Sequence, residues 1–493
     1  MNMISARWVV QGLAALLIVP GFGLPSLAED AAPINKINHI VVIYAENRSF
    51  DNLYGLFPGA NGISNALANY VAQVDHDGTP FAVLPPVWAN EHDLKSREID
   101  ARYPTTLPNR PFRIDQPPVS SPLDMRTRDL VHRFYQHREQ INGGRNDHFV
   151  AMSNAGALVM GYYDGSRLPM WSIAREFTLA DNFFMGAFGG SFLNHFWLVC
   201  ACTPQYRDAP DEVRAIEDGN GRLARQNTSP PSAMEGPVLL KDNSVTPAGY
   251  AVNTLQPPYQ PSAIAPAVQG DAALADPRNA RRLPPQTMTT IGDTLSAKHI
   301  SWAWYAGSWN RALADRSIIY NENSVNFQPH HQVFNYFANF APGSAARERH
   351  LRDGEAFMAD IDAGRLPQVA FYKPTAKLNA HPGYTDVLSG DTHIADVIAR
   401  IRSNPQLWKD VAIIVTYDEN GGFWDHVAPP AGDYWGPASR VPTIIVSPFA
   451  RKGFVDHTLY DTTSILKFIT LRFGLEPLPG VRGNAGDLTN AFE

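Results

Sequence analysis

The residues able to do chemistry in this chain are of three kinds: paired oxygen ligands, a serine behind two glycines, and scattered histidines. Glu46-Asn47 lies in YAENRSFD and Asp418-Glu419 in TYDENGGFWDH, each pair just after a short apolar run. Carboxylates with an amide suit a hard divalent cation such as Ca, Mg or Mn, with Zn as the alternative. Singly, each pair suits a turn or a helix cap equally well. Together, at matching places, they point to a metal site. Gly189-Gly190-Ser191 precedes FLNHFWLVCA, the pattern of a glycine turn opening a helix. Free N–H groups and the positive end of the helix dipole there favour both an ionised serine and a bound phosphate. Alone, Ser191 reads as an ordinary N-cap. The surrounding ligands favour a nucleophile that is also a metal ligand.

Phosphoryl chemistry also needs a proton for the leaving oxygen and donors other than the metal. The candidates are His132 (DLVHRFYQ), His330 and His331 (FQPHHQVF), His381 (NAHPGYTD) and His426 (WDHVAPP). We assign protonation of the leaving group to His381 or His132, and substrate contact to His330, His331 and His426. His393, inside a helix-like stretch, is left as a structural residue.

These side chains need a scaffold that brings them together. Asn38 to Tyr44, Val411 to Tyr417 and Val441 to Val446 are nearly continuous apolar runs, and Gln368 to Tyr372 is a weaker one. Such runs predict parallel strands covered on both faces. Helix-like stretches from Asp391 to Arg402 and from Thr462 to Arg472 alternate with them. The fold class expected is therefore α/β, a doubly wound, mostly parallel sheet with helices on both faces. Ligands gather at the carboxyl ends of such strands, where both acidic pairs fall. Stretches 64–122 and 203–285 break the alternation and read as insertions, either pocket walls or covering loops. We expect one domain over 29–493.

With 493 residues, 44% hydrophobic and 18% charged, the chain has the composition of a large globular enzyme. Its net charge of −7 and lack of a dense Lys/Arg run exclude the electrostatic footprint of a nucleic-acid binder. Arg7, an apolar stretch from Trp8 to Pro25 and the small-residue site Ser26-Leu27-Ala28 predict a cleavable signal peptide over 1–28. No Arg-Arg pair precedes that stretch, so the general secretory route is expected. The mature chain is then periplasmic or secreted, with no stable membrane span, a retained anchor being the alternative. Cys200 and Cys202 are expected on different faces of a helix as buried thiols, not as an internal bridge.

Taken together, INHIVVIYAENRSFDNLYG, GAFGGSFLNHFWL, NAHPG, VTYDENGGFWDHVAPP and GPASRVPTIIVSPFARKG resemble the bacterial phosphoesterase family of non-haemolytic phospholipases C and secreted acid phosphatases. The resemblance runs from Ile37 to Leu471. It implies an alkaline-phosphatase-like core, one divalent metal and a phospho-enzyme formed on Ser or Thr. It places Glu46, Asn47, Asp418 and Glu419 as ligands and Ser191 as nucleophile. Ser rather than Thr in GGSFLNH, and the absent twin arginine, are similar to the acid-phosphatase branch. There His132, His330, His331 and His381 fall where phosphate-contacting histidines stand. The expected function is an exported metal-dependent phosphomonoesterase acting on small phosphate esters. A phospholipase C acting on phospholipid diesters is the nearest alternative, and an exported metal-binding protein without enzymatic activity is the alternative of another class. Neither cysteine has the Cys-x-Pro-x-Arg context of a sulfatase.

Overall fold

The strands form where the apolar runs are longest. In the computed structural model, β1 (His39–Ala45) is buried apart from His39. The structure describes residues 33–493 except 69 and 92, so the signal-peptide expectation lies outside the described residues. The other strands of the central sheet are β2 (Thr178–Ala180), β3 (Trp302–Ala306), β4 (Leu351–Asp353), β5 (Val369–Lys373), β6 (Val411–Tyr417), β7 (Thr443–Val446) and β8 (Phe454–Asp456). Their order is β8-β2-β7-β6-β1-β5-β3-β4. The sheet is mixed and mostly parallel: β6, β1, β5, β3 and β4 run together, as do β2 and β8.

One expectation is corrected. β7 runs antiparallel to both of its neighbours, β6 and β2. A strand covered on both faces shows the same unbroken apolar run in either direction, so the pattern of 441–446 carries no information on its sense.

Six helices matter here: α1 (Phe50–Tyr54), α2 (Phe134–Ile141), α3 (Pro169–Glu176), α4 (Ser191–Cys200), α5 (Val387–Arg402) and α6 (Thr462–Phe473). α5 starts where the Asp386 side chain accepts from the Ser389 N–H, and α6 where Asp461 accepts from Thr463. α6 stops at Gly474 in the left-handed region. Among the described residues, no helix is long and apolar enough to cross a membrane.

The cysteine expectation is also corrected, because Cys200 and Cys202 form a disulfide. α4 ends at Cys200, and Ala201 takes a left-handed conformation (φ 46°, ψ 43°). That residue turns the chain back, leaving the two Cα atoms 5.1 Å apart, within bridging range. The apolar run continues past the helix end, which hides the turn from a periodicity argument.

Candidate active site

β1 and β6 pair in register from His39 opposite Val411 to Ala45 opposite Tyr417. The next residues, Glu46-Asn47 and Asp418-Glu419, therefore leave the sheet side by side at its carboxyl edge. All four are fully buried. The Asn47 N–H donates to Asp418 Oδ1 at 3.2 Å, and the Glu419 N–H donates to the same oxygen at 2.8 Å. Gly421 lets the two loops meet: it sits at φ +64°, and a Cβ there would lie 2.1 Å from the Asn47 carbonyl oxygen.

Ser191 is the first residue of α4, and Gly190 is its N-cap. The serine side chain is thus not the cap that the local sequence suggests. Its hydroxyl donates to Asn47 Oδ1 at 3.1 Å. Gly190 also permits a close approach, since a Cβ there would meet the His132 carbonyl oxygen at 2.7 Å.

His132 and His381 stand on the amide side of Asn47. Its Nδ2 lies 3.4 Å from His132 Nε2 and 3.0 Å from His381 Nε2. Each Nδ1 faces a backbone carbonyl, that of Leu130 at 2.6 Å and that of Pro382. A carbonyl only accepts, so both rings carry the Nδ1 proton and turn Nε2 to the site. His331 pairs with Glu46 Oε1, and His330 packs edge-on against it with ring centroids 4.7 Å apart.

His426 is placed elsewhere. Its Nδ1 pairs with Asp51 Oδ2 at 2.6 Å and its Nε2 lies 3.0 Å from Asn61 Oδ1. It lines a separate hollow with Tyr70, Asn146 and Trp424, not the cleft above Ser191. His393, on α5, pairs with the Tyr372 hydroxyl at 2.8 Å.

Two residues of the site were not singled out by the sequence. Lys373 ends β5 fully buried, with Nζ 2.8 Å from Glu46 Oε1 and 3.2 Å from Asp418 Oδ2. Its signal was available, as a polar residue closing a strand run. His195, one turn into α4, pairs through Nδ1 with the Ser191 carbonyl oxygen at 2.7 Å and stacks on His331. The apolar stretch around it conceals that role.

The electrostatics follow from burial. Burial pushes the Asp418 carboxyl up to about 6, and Glu419 well above the usual range, against the opposing pull of Lys373 and His132 respectively. Burial also raises Glu46, but the His331 ring and the Lys373 ammonium reverse this and hold it well below the usual range. Both Glu46 oxygens and Glu419 Oε1 are wholly buried without a well-directed hydrogen bond. Unsatisfied buried carboxylate oxygens with an amide and a hydroxyl beside them are the donor type a hard cation takes, while the groups whose ligand atoms lie within 4.8 Å of one another among the described residues are Asp129 with His132 and His381, and Asp51 with Asp425 and His426.

Above Ser191 opens a cleft of about 810 Å³. His132, His330 and His381 line it together with Ser191. Its walls come in part from the long irregular stretches, with Glu91 and Leu94 from one, and Leu239, Asp242, Asn253 and Arg281 from the other.

Residues 37–476 match the model of the Phosphoesterase family. Phospholipase C B of Mycobacterium tuberculosis is 26% identical to this chain, over 93% of the chain and 78% of its own length. The non-hemolytic phospholipases C of Burkholderia pseudomallei and Pseudomonas aeruginosa are 26% and 24% identical over 98% and 93% of this chain, which spans 63% and 57% of their lengths. Among solved structures, a protein of the alkaline phosphatase superfamily from Vibrio parahaemolyticus overlaps 76% of this chain and 75% of its own, at 10% identity and a TM-score of 0.32. Because the family model spans nearly all of the described chain, the protein belongs to the Phosphoesterase family and is a hydrolase acting on phosphoric ester bonds.

Proposed function

We propose that the protein is an exported phosphomonoesterase that transfers the phosphoryl group to Ser191 before water releases it. The observation that carries this reading is the position of the Ser191 hydroxyl. It sits at the N-terminus of α4, hydrogen-bonded to Asn47 and opening onto a cleft lined by three histidines. A phosphomonoester dianion presents three non-bridging oxygens, one more than a diester, and such an array of donors suits that charge. The lining combines polar groups, among them Asp242, Asn253 and Arg281, which suit a small polar leaving group, with Leu94, Val238, Leu239 and Leu240. The Cys200–Cys202 disulfide suits an oxidising compartment outside the cytoplasm.

Glu46, Asn47, Ser191, Asp418 and Glu419 would hold a divalent cation, which when bound favours the ionised serine and offsets the charge of the phosphate. Ser191 Oγ gives up its proton to the free Nε2 of His132 or His381 and attacks phosphorus in line, and the bond to the leaving oxygen breaks. His132 or His381, on the amide side of Asn47, protonates the departing alcohol. His330 and the N–H groups that open α4 face the charge that develops on the phosphoryl oxygens, while His331 is held by Glu46 and does not line the cleft. Water then hydrolyses the phosphoserine, and the serine recovers its proton.

The second reading is phospholipase C, favoured by the names of the curated relatives. Hydrolysis of an aryl phosphomonoester and of phosphatidylcholine by the same preparation, with Mg, Mn, Ca or Zn added in turn, separates the two. A higher kcat/KM for the monoester is expected. A preference for phosphatidylcholine that is lost in Ser191→Ala makes the protein a phospholipase C.

A further inference from the structure

The two histidines that serve in proton transfer share their corner of the cleft with a carboxylate. Asp129, His132 and His381 all line the cleft, and one ligand atom from each lies within 4.8 Å of the others. Asp129 Oδ1 stands 3.6 Å from His132 Nδ1, and the His132 and His381 rings meet edge-on with centroids 5.7 Å apart. Two loops are tied together to make this meeting. The Gly383 N–H donates to the Thr127 carbonyl oxygen at 2.8 Å, and Arg126 Nη1 donates to the Gly383 carbonyl oxygen at 2.8 Å. The Leu130 N–H donates to Asp129 Oδ1 at 2.9 Å, and the Tyr384 ring covers that of His381 with centroids 4.0 Å apart.

This donor set differs in kind from the all-oxygen set of Glu46, Asn47, Ser191, Asp418 and Glu419. Imidazole nitrogens suit Zn, Cu and Ni, whereas carboxylate and carbonyl oxygens suit Mg, Ca and Mn. Two imidazoles and one carboxylate supply three ligands to a tetrahedral zinc and leave its fourth position to water. Asp129 and His132 are partly exposed, at 28% and 20% of their side chains, so rotation brings them to the bond lengths of about 2 Å that zinc requires. The cluster of Asp51, Asp425 and His426 has the ligand types but not the room, because the Arg440 guanidinium already lies between its carboxylates.

We propose that Asp129, His132 and His381 form a second metal site, which takes zinc and thereby stops the reaction. An imidazole that gives one nitrogen to a metal and carries a proton on the other has no lone pair left to act as a base. Zinc bound here thus withdraws both histidines from proton exchange with Ser191 and the leaving oxygen. The block rests on the proton-transfer roles proposed above, whereas the binding does not.

The test is calorimetric titration of the full chain with ZnCl2 in the presence of excess MnCl2, alongside turnover of whichever ester the enzyme prefers, for wild type, Asp129→Asn, Asp129→Ala and Glu419→Gln. Wild type should bind one zinc ion, and turnover should fall by about 10²-fold at saturation, the contribution of a positioned acid or base. Asp129→Asn keeps an acceptor for the Leu130 N–H. Both Asp129 variants should turn over normally without zinc, bind it at least about tenfold more weakly and resist inhibition accordingly. Absence of zinc binding by wild type overturns the site, whether or not the variants fold. So does zinc binding that survives in both Asp129 variants but is lost in Glu419→Gln, which would mean displacement of Mn from the acidic set. Zinc held through Asp129 without loss of turnover overturns the block and the proton-transfer roles with it, and leaves the site standing.

Discussion

Asp51 and Asp425 lie a few residues from Glu46 and Asp418 in sequence, yet the two buried acidic clusters are built on opposite plans. In the outer one, Arg440 donates to Asp425 Oδ1 at 2.8 Å, to Asp425 Oδ2 at 3.2 Å and to Asp51 Oδ1 at 3.2 Å. The His426 ring and its backbone N–H take Asp51 Oδ2 at 2.6 and 2.8 Å. Every carboxylate oxygen there has a protein donor. In the inner cluster both Glu46 oxygens and Glu419 Oε1 lack a well-directed hydrogen bond. A closed cluster locks loops together, whereas an open one keeps capacity for a ligand. Both draw residues from the two segments ENRSFD and DENGGFWDH, so residue type alone does not say which is which.

The largest effect expected is on the open side. Ser191→Ala should lower kcat by about 10⁴-fold or more, as removal of a covalent nucleophile does. Because Gly190 is the N-cap, the change should shift the melting temperature little. A variant that turns over within tenfold of wild type breaks the covalent reading, and a large stability loss with retained turnover makes Ser191 structural.

Next in size is a pair of substitutions that sets one cluster against the other. Arg440→Met leaves Asp51 and Asp425 buried without their cation, which typically costs about 3–5 kcal/mol. Any folded fraction should still bind metal normally. Glu419→Gln should do the reverse. Burial already pushes the Glu419 carboxyl toward its neutral form, so a neutral amide should leave apo stability at pH 7 unchanged or higher, while metal affinity falls. Chemical denaturation of the stripped protein, combined with metal titration, checks both. Equal stability losses would mean that the inner cluster is as closed as the outer one.

Much of this is legible in the sequence, for a physical reason. A strand covered on both faces shows itself by its apolar run, and the residue after it must sit at the sheet edge, so Glu46 and Asp418 can be placed before any coordinates exist. The run of β7 shows its position but not its direction. Register, which sets Ala45 opposite Tyr417, is a property of the pair and not of either strand. Lys373 closes the weakest of the four runs and is easily read as a residue leaving the sheet. His426 follows an acidic residue in a site-like motif, and only the folded chain shows its ring held by Asp51 and Asn61.

A third kind of buried carboxyl sharpens the contrast. Asp391, on α5, accepts the Met170 N–H at the start of α3 at 2.9 Å, and its other oxygen has no partner. Burial pushes its carboxyl up to about 7, against the pull of that hydrogen bond. The folded value exceeds the unfolded one, so between about pH 4 and pH 7 the native state binds the extra proton and stability falls as pH rises. The gap of about three pH units corresponds to at most about 4 kcal/mol. Asp391→Asn should therefore melt near wild type at pH 4 and clearly above it at pH 8. Parallel curves across that window would mean that the carboxyl titrates normally and has found a partner.

The smallest effect expected decides whether the two clusters are functionally separate. His426 belongs to the closed one, held by Asp51 and Asn61 and lining a hollow apart from the Ser191 cleft. His426→Gln keeps a side-chain donor for Asp51, so kcat/KM should stay within about threefold of wild type, with at most about 1–2 kcal/mol lost from a weakened charged hydrogen bond. His132→Gln, on the amide side of Asn47, should instead lower turnover by about 10²-fold, the usual contribution of a positioned acid. Measured side by side on one phosphomonoester, the two variants should differ by more than tenfold. A His426→Gln loss as large as that of His132→Gln, without loss of stability, would join His426 to the chemistry and dissolve the distinction between the clusters.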